Sequence, residues 1–196
     1  MPDPIPVESG VTSFELNGAR ISIRLQDIRE LSLSDIVKLL HESPKRQLAE
    51  LTLFDMLLRD GKDEHGAFRH GVYLFFNEAG ACTYVGKCSS SHFAHRIGGH
   101  FGMSPKYGMN TYLRRTVKSL GLDPENYGDY VKALPLIGHH RLLLIDANNA
   151  GATIIRRLEQ VFHRALRPTL NFPKGYPRNY KTFDDGVTLQ QALELQ

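Results

Sequence analysis

The sequence predicts an α/β (α+β) fold, in which a small three-stranded antiparallel or mixed sheet is flanked by helices and carries an N-terminal extension of a β-hairpin and helices. Three observations lead to this class. Two short apolar segments are joined by a polar turn in GVYLFFNEAGACTYVGKC, residues 71–88. A continuous apolar run, HRLLLIDA, occupies residues 140–147, and a long amphipathic segment with a helical period follows over residues 148–168.

The first 66 residues are predicted to form an accessory region of one hairpin and two helices. Apolar residues alternate with a period of two over residues 11–25, and the Asn17-Gly18 pair among them is a strong signal for a tight hairpin turn. Capping and stop signals predict one helix over residues 33–43 and a second over residues 44–61. The polar segment GKDEHG, residues 61–66, marks the predicted boundary.

Residues 67–183 are predicted to form the main domain, and residues 184–196 a final tail helix. Gly98-Gly99, Gly121 and Pro168 are expected to end the three helices of the domain, because glycine and proline disfavour continuation of a helix. In chain order, the predicted elements of the domain are strands at about 71–76 and 82–87, helices at about 91–97 and from 105 or 110 to 120, a strand at 140–147 and a helix at 148–168.

The composition argues against a membrane protein, a secreted protein and a zinc protein. No apolar run approaches the roughly 18 residues that span a bilayer, and the opening MPDPIPVESG has no apolar core of a secretory signal. The two cysteines, Cys82 and Cys88, have a spacing that suits neither a CxxC pair nor half of a zinc site. Two reduced thiols in a cytoplasmic protein are therefore expected. The nine histidines show no clean metal-binding spacing.

Charge is divided unevenly along a chain whose net charge is only +3. Residues 1–66 carry 12 acidic and 8 basic side chains, and residues 67–196 carry 9 acidic and 16 basic ones, which gives −4 and +7. Residues 79–122 contain six Lys or Arg and no carboxylate, and residues 147–183 contain seven basic residues and a single acid, Glu159. Basic stretches without neighbouring acids are typical of surfaces that bind a polyanion, so nucleic acid is the predicted partner.

Three polar residues stand out by their positions on predicted helices. Glu159 lies at the edge of the apolar stripe of its helix, where a carboxylate can reach a cleft; a surface ion pair with Arg156 is the alternative interpretation. Arg96 and His100 are four residues apart and share a face if their helix continues past Gly98-Gly99. An arginine there could neutralise a phosphate, and a histidine could take or relay a proton. An ordinary solvated helix face is the alternative.

Six residues occur in an order that carries more information than any one of them. The tripeptides GVY and YVG place their tyrosines 11 residues apart, and the other four residues follow on later elements. The set resembles the GIY-YIG nuclease family, with Ile→Val in each tripeptide, and the histidine four residues after the arginine is similar to the short restriction-endonuclease branch. In chain order the six are Tyr73, Tyr84, Arg96, His100, Glu159 and Asn171.

The resemblance implies that residues 67–183 are a nuclease domain that hydrolyses phosphodiester bonds with a divalent metal. Glu159 would hold Mg²⁺ or Mn²⁺ through a hard carboxylate oxygen, with phosphate and waters completing the shell. Tyr73 would act as the general base. Tyr84 would bond to the attacking water or the phosphate, and Arg96 would stabilise the charge that develops at phosphorus.

The remaining candidate residues have supporting roles in the same scheme. The ordinary pKa of a tyrosine, near 10, is too high for a base at neutral pH. A cationic surround or proton transfer from Tyr73 toward His100 would therefore have to bring the phenolate within reach. Asn171 would orient the active-site loop through its amide. Candidate contacts to DNA phosphates are Lys87, Lys106, Arg114 and Arg115.

The predicted function is a restriction-type, site-specific endonuclease of the cytoplasm that acts on double-stranded DNA. Cutting both strands predicts either a homodimer on DNA or two successive cuts by one copy. A DNase toxin, a repair or recombination nuclease and a mobile-element endonuclease are alternatives with the same catalytic centre. A non-catalytic nucleic-acid-binding module and a plain structural domain are further alternatives, which the complete residue set and the basic stretches disfavour.

Overall fold

The computed structural model describes residues 13–16, 19–51, 70–101, 112–147, 150–171, 183–184 and 186–195. Within these residues the strands are β1 Ser13–Leu16, β2 Ala19–Arg24, β3 Arg46–Gln47, β4 Gly71–Phe76, β5 Cys82–Cys88 and β6 Arg141–Asp146. The helices are α1 Leu25–Ile28, α2 Leu33–Glu42, α3 Phe93–Gly99, α4 Tyr112–Ser119, α5 Tyr127–His139, α6 Ala152–Leu166 and α7 Leu189–Glu194. A 3₁₀ turn occupies Leu48–Glu50. None of the described helices combines the length and apolarity needed to cross a bilayer.

One mixed sheet joins the strands in the order β1-β2-β6-β4-β5. β4 pairs antiparallel with both β5 and β6, and β2 pairs parallel with β6 through residues 22–24 and 144–146. The prediction of a small mixed sheet flanked by helices is therefore confirmed, and the N-terminal hairpin extends this sheet by two strands. β5 lies at the end of the strand order, where one side of its backbone is left without a described strand partner.

The two faces of the sheet carry two separate apolar clusters. Val72, Leu74 and Phe76 of β4 pack on one face with residues of α2, α6 and α7. Tyr73 and Phe75 pack on the other face with residues of α3, α4 and α5. The alternation follows from the strand geometry, in which successive side chains point to opposite faces. Helices therefore cover both faces of the central strands.

The predicted accessory region contributes to the first of these clusters. Ile36 and Leu40 of α2 are fully buried and belong to the same cluster as Leu158 of α6. Burying a side chain of this size contributes about 1.5–3 kcal/mol, so the N-terminal elements and the main domain stabilise each other. The predicted boundary at residues 61–66 lies outside the described residues.

Most of the predicted elements are confirmed. The central hairpin, β6, α2 and the tail helix lie where the sequence predicts them. Gly121 adopts a φ of +73° just after α4, as expected of its stop residue, whereas the predicted start of that helix lies outside the described residues. α6 ends at Leu166, and its C-cap Arg167, which has a φ of 46°, lies immediately before Pro168. Residues 17–18, the predicted hairpin turn, are not among the described residues.

The predicted helix over residues 44–61 is wrong at its start. Arg46 and Gln47 form β3 and pair with Leu142 and Arg141 of β6. β2 pairs only with residues 144–146 of the same strand, which leaves the first part of β6 open on that side. Two residues of extended chain fill this gap, because unpaired backbone groups in a sheet are costly. Residues 52–61 of the predicted helix lie outside the described part of the chain.

The helix α5 was not predicted from the sequence. Pro135 lies inside it and removes one backbone donor, a cost of about 3 kcal/mol in a helix interior. Packing compensates, since Tyr130, Ala133 and Ile137 are buried against the second apolar cluster. The side chain of Asn126 caps the first turn by accepting a hydrogen bond of 2.9 Å from the N–H of Gly128.

Candidate active site

Close packing explains why the two tripeptides contain glycine at Gly71 and Gly86. Tyr73 of β4 pairs with Gly86 of β5, and a Cβ at Gly86 would lie less than 3.0 Å from Cζ and Oη of Tyr73. Only glycine therefore leaves room for this phenol to lie across β5. A Cβ at Gly71 would lie less than 3.0 Å from the carbonyl oxygen of Ile145, so this glycine permits the close approach of β4 to β6.

The two tyrosines of the tripeptides lie side by side on the same face of the sheet. Tyr73 is fully buried and Tyr84 is 6% exposed. Their rings are stacked, with centroids 6.2 Å apart and planes inclined by 18°. The guanidinium of Arg115 lies 5.7 Å above the ring of Tyr84, close enough for a cation–π contact. The structure therefore brings the two phenols into one cluster with a cation at its border.

α3 does not stop at Gly98-Gly99, as the sequence predicted, but runs through both residues to a cap at His100. A Cβ at either glycine would meet no atom within 4 Å, so both lie in open space. Glycine in a helix costs only about 0.5–1 kcal/mol relative to alanine, which the buried anchor at His100 can outweigh. Arg96 and His100 consequently follow each other by one helical turn.

His100 is buried against Tyr73 and its tautomer follows from its partners. Its Nε2 lies 2.5 Å from Oη of Tyr73, and its Nδ1 accepts a hydrogen bond of 3.0 Å from the backbone N–H of Tyr112. Because an N–H can only donate, Nδ1 carries a lone pair and the proton of a neutral ring is on Nε2. Burial, followed by the charges of Arg96 and Arg115, lowers the pKa of His100 to about 3.

Proton transfer from Tyr73 toward His100 was one of the two routes to a phenolate that the sequence suggested, and these hydrogen bonds contradict that route. A neutral His100 with its proton on Nε2 donates to the phenolic oxygen of Tyr73 and cannot also accept a proton there. Its hydrogen bond instead favours a negative charge on that oxygen. His100 is positioned as a donor that stabilises a phenolate, rather than as a base.

Arg96 lies on the exposed side of the same cluster. Its positive charge acts on both phenols, where it opposes the rise in the pKa of Tyr73 and of Tyr84. An exposed guanidinium beside two buried phenols can receive a phosphate without losing its contact with the protein. The role at a phosphate that the sequence predicted for Arg96 stays a prediction.

Glu159 reaches the same place from the opposite face of the sheet. Its α6 belongs to the first apolar cluster, yet its negative charge acts on both Tyr73 and Tyr84 and raises the pKa of each. The side chain of Glu159 is 17% exposed, and its Oε2 forms an ion pair with Nζ of Lys87 on β5. The carboxylate therefore lies near the phenols at the edge of β5.

Burial dominates the acidity of the two phenols. It is the largest cause of the raised pKa of Tyr73, followed by Tyr84, and Arg96 opposes it only in part. Burial also raises the pKa of Tyr84, against the charges of Arg115 and Arg96. The cationic surround, the other route to a phenolate that the sequence suggested, therefore does not offset burial, and both phenols are protonated at neutral pH.

Asn171 bonds to the open edge of β5. Its Oδ1 accepts a hydrogen bond of 2.6 Å from the N–H of Val85, and its Nδ2 donates one of 2.7 Å to the carbonyl of Val85. The N–H of Leu170 donates to the carbonyl of Thr83 at 2.8 Å. The segment after α6 thus pairs with β5 as a further strand would, which fixes it beside the phenols.

The predicted contacts to DNA phosphates have different environments. Lys87 is paired with Glu159, and Arg115 lies over Tyr84 and donates a hydrogen bond of 2.6 Å to the carbonyl of Leu170. Arg114, the neighbour of Arg115 on α4, pairs instead with Glu125, which lies just before α5. Lys106 lies outside the described residues. Lys87 and Arg115 therefore border the cluster, and Arg114 does not.

Two residues close to the cluster were missed by the sequence reasoning. Nε2 of His163 donates a hydrogen bond of 3.1 Å to the carbonyl of Val85, and burial is the main cause of its lowered pKa. Its spacing of four residues after Glu159 could have revealed it. Tyr112 supplies the backbone N–H to His100, and its buried hydroxyl contacts His140. No spacing in the sequence indicates the contact between Tyr112 and His100, because the backbone N–H of Tyr112 makes it and not its side chain.

The donors of the site decide which metal centre it can form. Within the described residues, no group of three or more His, Cys, Asp or Glu side chains comes together to hold an ion. Glu159 offers one hard oxygen ligand, and Mg²⁺ typically keeps several waters and binds through one or two carboxylates plus substrate phosphate. The site therefore fits a divalent cation that shares its shell with a phosphate, and it does not fit a metal held by protein ligands alone.

Comparison with known proteins gives no relative for this chain: no family model, no curated protein and no solved structure matches it.

Proposed function

We propose that this chain is a divalent-metal-dependent endonuclease of the GIY-YIG type that hydrolyses phosphodiester bonds of double-stranded DNA. One observation carries the proposal: two buried phenols, an exposed guanidinium and a carboxylate from four separate elements meet at the edge of β5. A packing role alone would be served by apolar side chains, which need neither a charge at Glu159 nor one at Arg96. The chemistry of these groups suits attack on a phosphate.

The residues of the cluster have distinct parts in such a reaction. Arg96 binds and neutralises the phosphate, since its guanidinium is exposed beside the phenols. Tyr73 is the proposed base for the attacking water. Its own proton would first have to leave to solvent by way of the hydroxyl of Tyr84, to which Tyr73 is hydrogen-bonded, and the Nε2–H of His100 would stabilise the phenolate that remains. A divalent ion held by Glu159 would neutralise charge on the phosphate, acidify a water and cancel the charge of the carboxylate, which adds to burial in raising the pKa of both phenols.

A site-specific, restriction-type role in the cytoplasm is the proposed biology, and Mg²⁺ or Mn²⁺ the proposed cofactor. Both cysteines are free thiols, which suits a reducing compartment. A homodimer on DNA or two successive cuts would sever both strands. A non-catalytic nucleic-acid-binding module is the second candidate, and the ion pair of Lys87 with Glu159 favours it, because that pair neutralises the carboxylate a metal would need.

Cleavage of supercoiled plasmid tests the proposed function directly. We expect the unaltered chain to cut with Mg²⁺ and not with EDTA, and Glu159→Gln to cut at least about a thousandfold more slowly, because charge stabilisation by a metal contributes several kcal/mol. Glu159→Gln should still shift a DNA duplex on a native gel. Glu42→Gln, at an exposed position on α2, is the matched control and should cut as the unaltered chain does.

The products and the residual activities distinguish the candidates. Discrete fragments support a site-specific enzyme, and a smear supports a toxin-like DNase. Binding without any cleavage, in the unaltered chain and in both variants, supports the non-catalytic module. Cutting that persists in EDTA or in Glu159→Gln would reject the metal-dependent centre proposed for Glu159.

A further inference from the structure

Lys87 is the nearest described cation to the carboxylate of Glu159. It follows Gly86 on β5, and its side chain points to the α6 face of the sheet, as does that of Val85 two residues before it. Nζ of Lys87 and Oε2 of Glu159 form an ion pair whose side chains are 35% and 17% exposed. The ammonium group of Lys87 is therefore bound to one of the carboxylate oxygens that would coordinate a divalent cation.

The charges around this ion pair disfavour a metal in the absence of DNA. Lys87 is paired with Glu159, and the charges of Arg96 and Arg115 act on the phenols that the charge of Glu159 also reaches. These three cations and one carboxylate sum to a charge of +2. A divalent cation would enter a positive region and would also have to displace an ammonium group. Like charges a few ångströms apart repel strongly where water is partly excluded.

A DNA backbone reverses this balance. Each phosphate brings one negative charge and accepts hydrogen bonds from lysine and arginine. Lys87 has a flexible four-carbon side chain at the edge of β5, so its ammonium group can move from a carboxylate to a phosphate without a change in the backbone. The same movement would leave Oε2 of Glu159 available as a hard ligand.

We propose that Lys87 is a built-in competitor of the metal: it neutralises Glu159 in the free protein and moves to a substrate phosphate when DNA binds, which opens the carboxylate to a divalent cation. This role of Lys87 rests on the proposed function, because it requires that Glu159 is the metal ligand. Metal and DNA then bind cooperatively, and by linkage each strengthens the binding of the other by the same factor.

Binding of Mn²⁺ to the free protein, followed by the paramagnetic resonance signal of unbound Mn²⁺, tests this competition without any reaction. We expect weak binding to the unaltered chain and at least about tenfold tighter binding to Lys87→Met, which removes the ammonium group and keeps a long side chain. Lys87→Arg keeps the positive charge, so its binding of Mn²⁺ should remain as weak as that of the unaltered chain. The double variant with Lys87→Met and Glu159→Gln should not show the tighter Mn²⁺ binding, because it lacks the carboxylate.

Lys132→Met is the matched control for the loss of one positive charge. Lys132 pairs with Asp129 on α5, and the side chain of Lys132 is 67% exposed. This variant should leave the affinity for Mn²⁺ near that of the unaltered chain. A gain equal to that of Lys87→Met would overturn the competition at Glu159, because it would assign the effect to net charge.

A second measurement uses the unaltered chain and remains informative if Lys87→Met folds poorly. Fluorescence anisotropy of a short labelled duplex, with Ca²⁺ as the added cation, reports whether metal and DNA bind together. We expect Ca²⁺ to strengthen duplex binding by at least about tenfold in the unaltered chain and not in Glu159→Gln. Equal duplex affinity with and without Ca²⁺ would overturn the proposed coupling.

Failure of the competition and failure of the proposed function give different results. If plasmid cleavage depends on Glu159 but Lys87→Met binds Mn²⁺ no more tightly than the unaltered chain, the nuclease stands and the competition is overturned. If no plasmid is cut but Lys87→Met binds Mn²⁺ more tightly through Glu159, the competition is supported and the nuclease is rejected.

Discussion

Because Gly86 has no side chain, it leaves space on β5 for the ring of Tyr73. Tyr73 lies across β5 at this position, and its hydroxyl extends to the side where Arg96 and Glu159 act on it. Any Cβ at Gly86 would occupy the place of the phenol ring, which is rigid and fully buried. The neighbouring core cannot yield easily, because protein interiors are closely packed. Access of the phenol to the charged groups thus depends on one absent methyl group.

Gly86→Ala should displace Tyr73 and lower both stability and cleavage. We expect a loss of about 1–3 kcal/mol in the free energy of unfolding, which is typical of an overpacked core, as measured by urea unfolding. Gly98→Ala is the matched control, since a Cβ there meets no atom within 4 Å. That variant should gain about 0.5–1 kcal/mol from its helical position. Equal stabilities of the two variants would contradict the steric role of Gly86.

The residues of the candidate site could be predicted from the sequence more easily than their states of protonation. Tyr73, Tyr84 and Glu159 belong to an ordered motif, and the structure brings them together. The donor role of His100 could not be predicted, because it depends on a backbone N–H at Tyr112. The raised pKa of Tyr73 follows from burial, a quantity that spacing does not contain.

The edge of β5 shows how an element is completed by a side chain. Val85 offers an N–H and a carbonyl on the side of β5 away from β4, and the amide of Asn171 bonds to both. An asparagine amide has one acceptor and one donor group, so it imitates the backbone of a neighbouring strand. This pairing holds the segment after α6 beside the phenols and covers an edge that would otherwise be open.

Asn171→Ala should loosen the edge of β5. The carbonyl of Val85 keeps its hydrogen bond from His163, but the N–H of Val85 loses the acceptor that Asn171 supplies. Leaving this buried N–H without a partner is expected to cost about 1–3 kcal/mol in the free energy of unfolding. Amide hydrogen exchange at Val85, followed by NMR, should become faster than in the unaltered chain. Asn77→Ala removes an amide from the β4–β5 turn instead, where Asn77 accepts from Ala81, and should leave Val85 protected. Unchanged exchange in Asn171→Ala would show that its amide does not hold this edge.

The elements that sequence reasoning missed are those that tertiary contacts decide. β3 exists because β2 leaves part of β6 unpaired, a fact about two distant strands. α5 exists despite Pro135, because its buried face joins the second apolar cluster. By contrast, the apolar stripe of α6 and the short apolar run of β4 are local patterns, and both elements were predicted with nearly correct bounds.

For the whole molecule, the burial that shapes the site also makes its stability depend on pH. The pKa of His100 is about 3 in the folded protein and about 6.5 in an unfolded chain. Below pH 6.5 the unfolded chain therefore binds a proton that the folded protein does not. The contribution of His100 to the free energy of unfolding is therefore fully present above about pH 6.5. It is lost as the pH is lowered toward about 3, with a slope of at most about 1.4 kcal/mol per pH unit.

Urea unfolding between pH 7.5 and pH 4.5, with pH values chosen around the ordinary histidine pKa of about 6.5, should reveal this dependence. Carboxylates and the buried His140, whose pKa is also lowered by burial, add to the slope in every variant. His100→Gln keeps a polar side chain and cannot titrate, so its stability should fall less steeply with acid than that of the unaltered chain. At pH 7.5 His100 is neutral in both states, so a difference there reports its hydrogen bonds and the packing of its ring, and not its titration. Parallel slopes for the two proteins would mean that His100 is protonated as readily in the fold as in the unfolded chain, which would contradict the lowering of its pKa by burial.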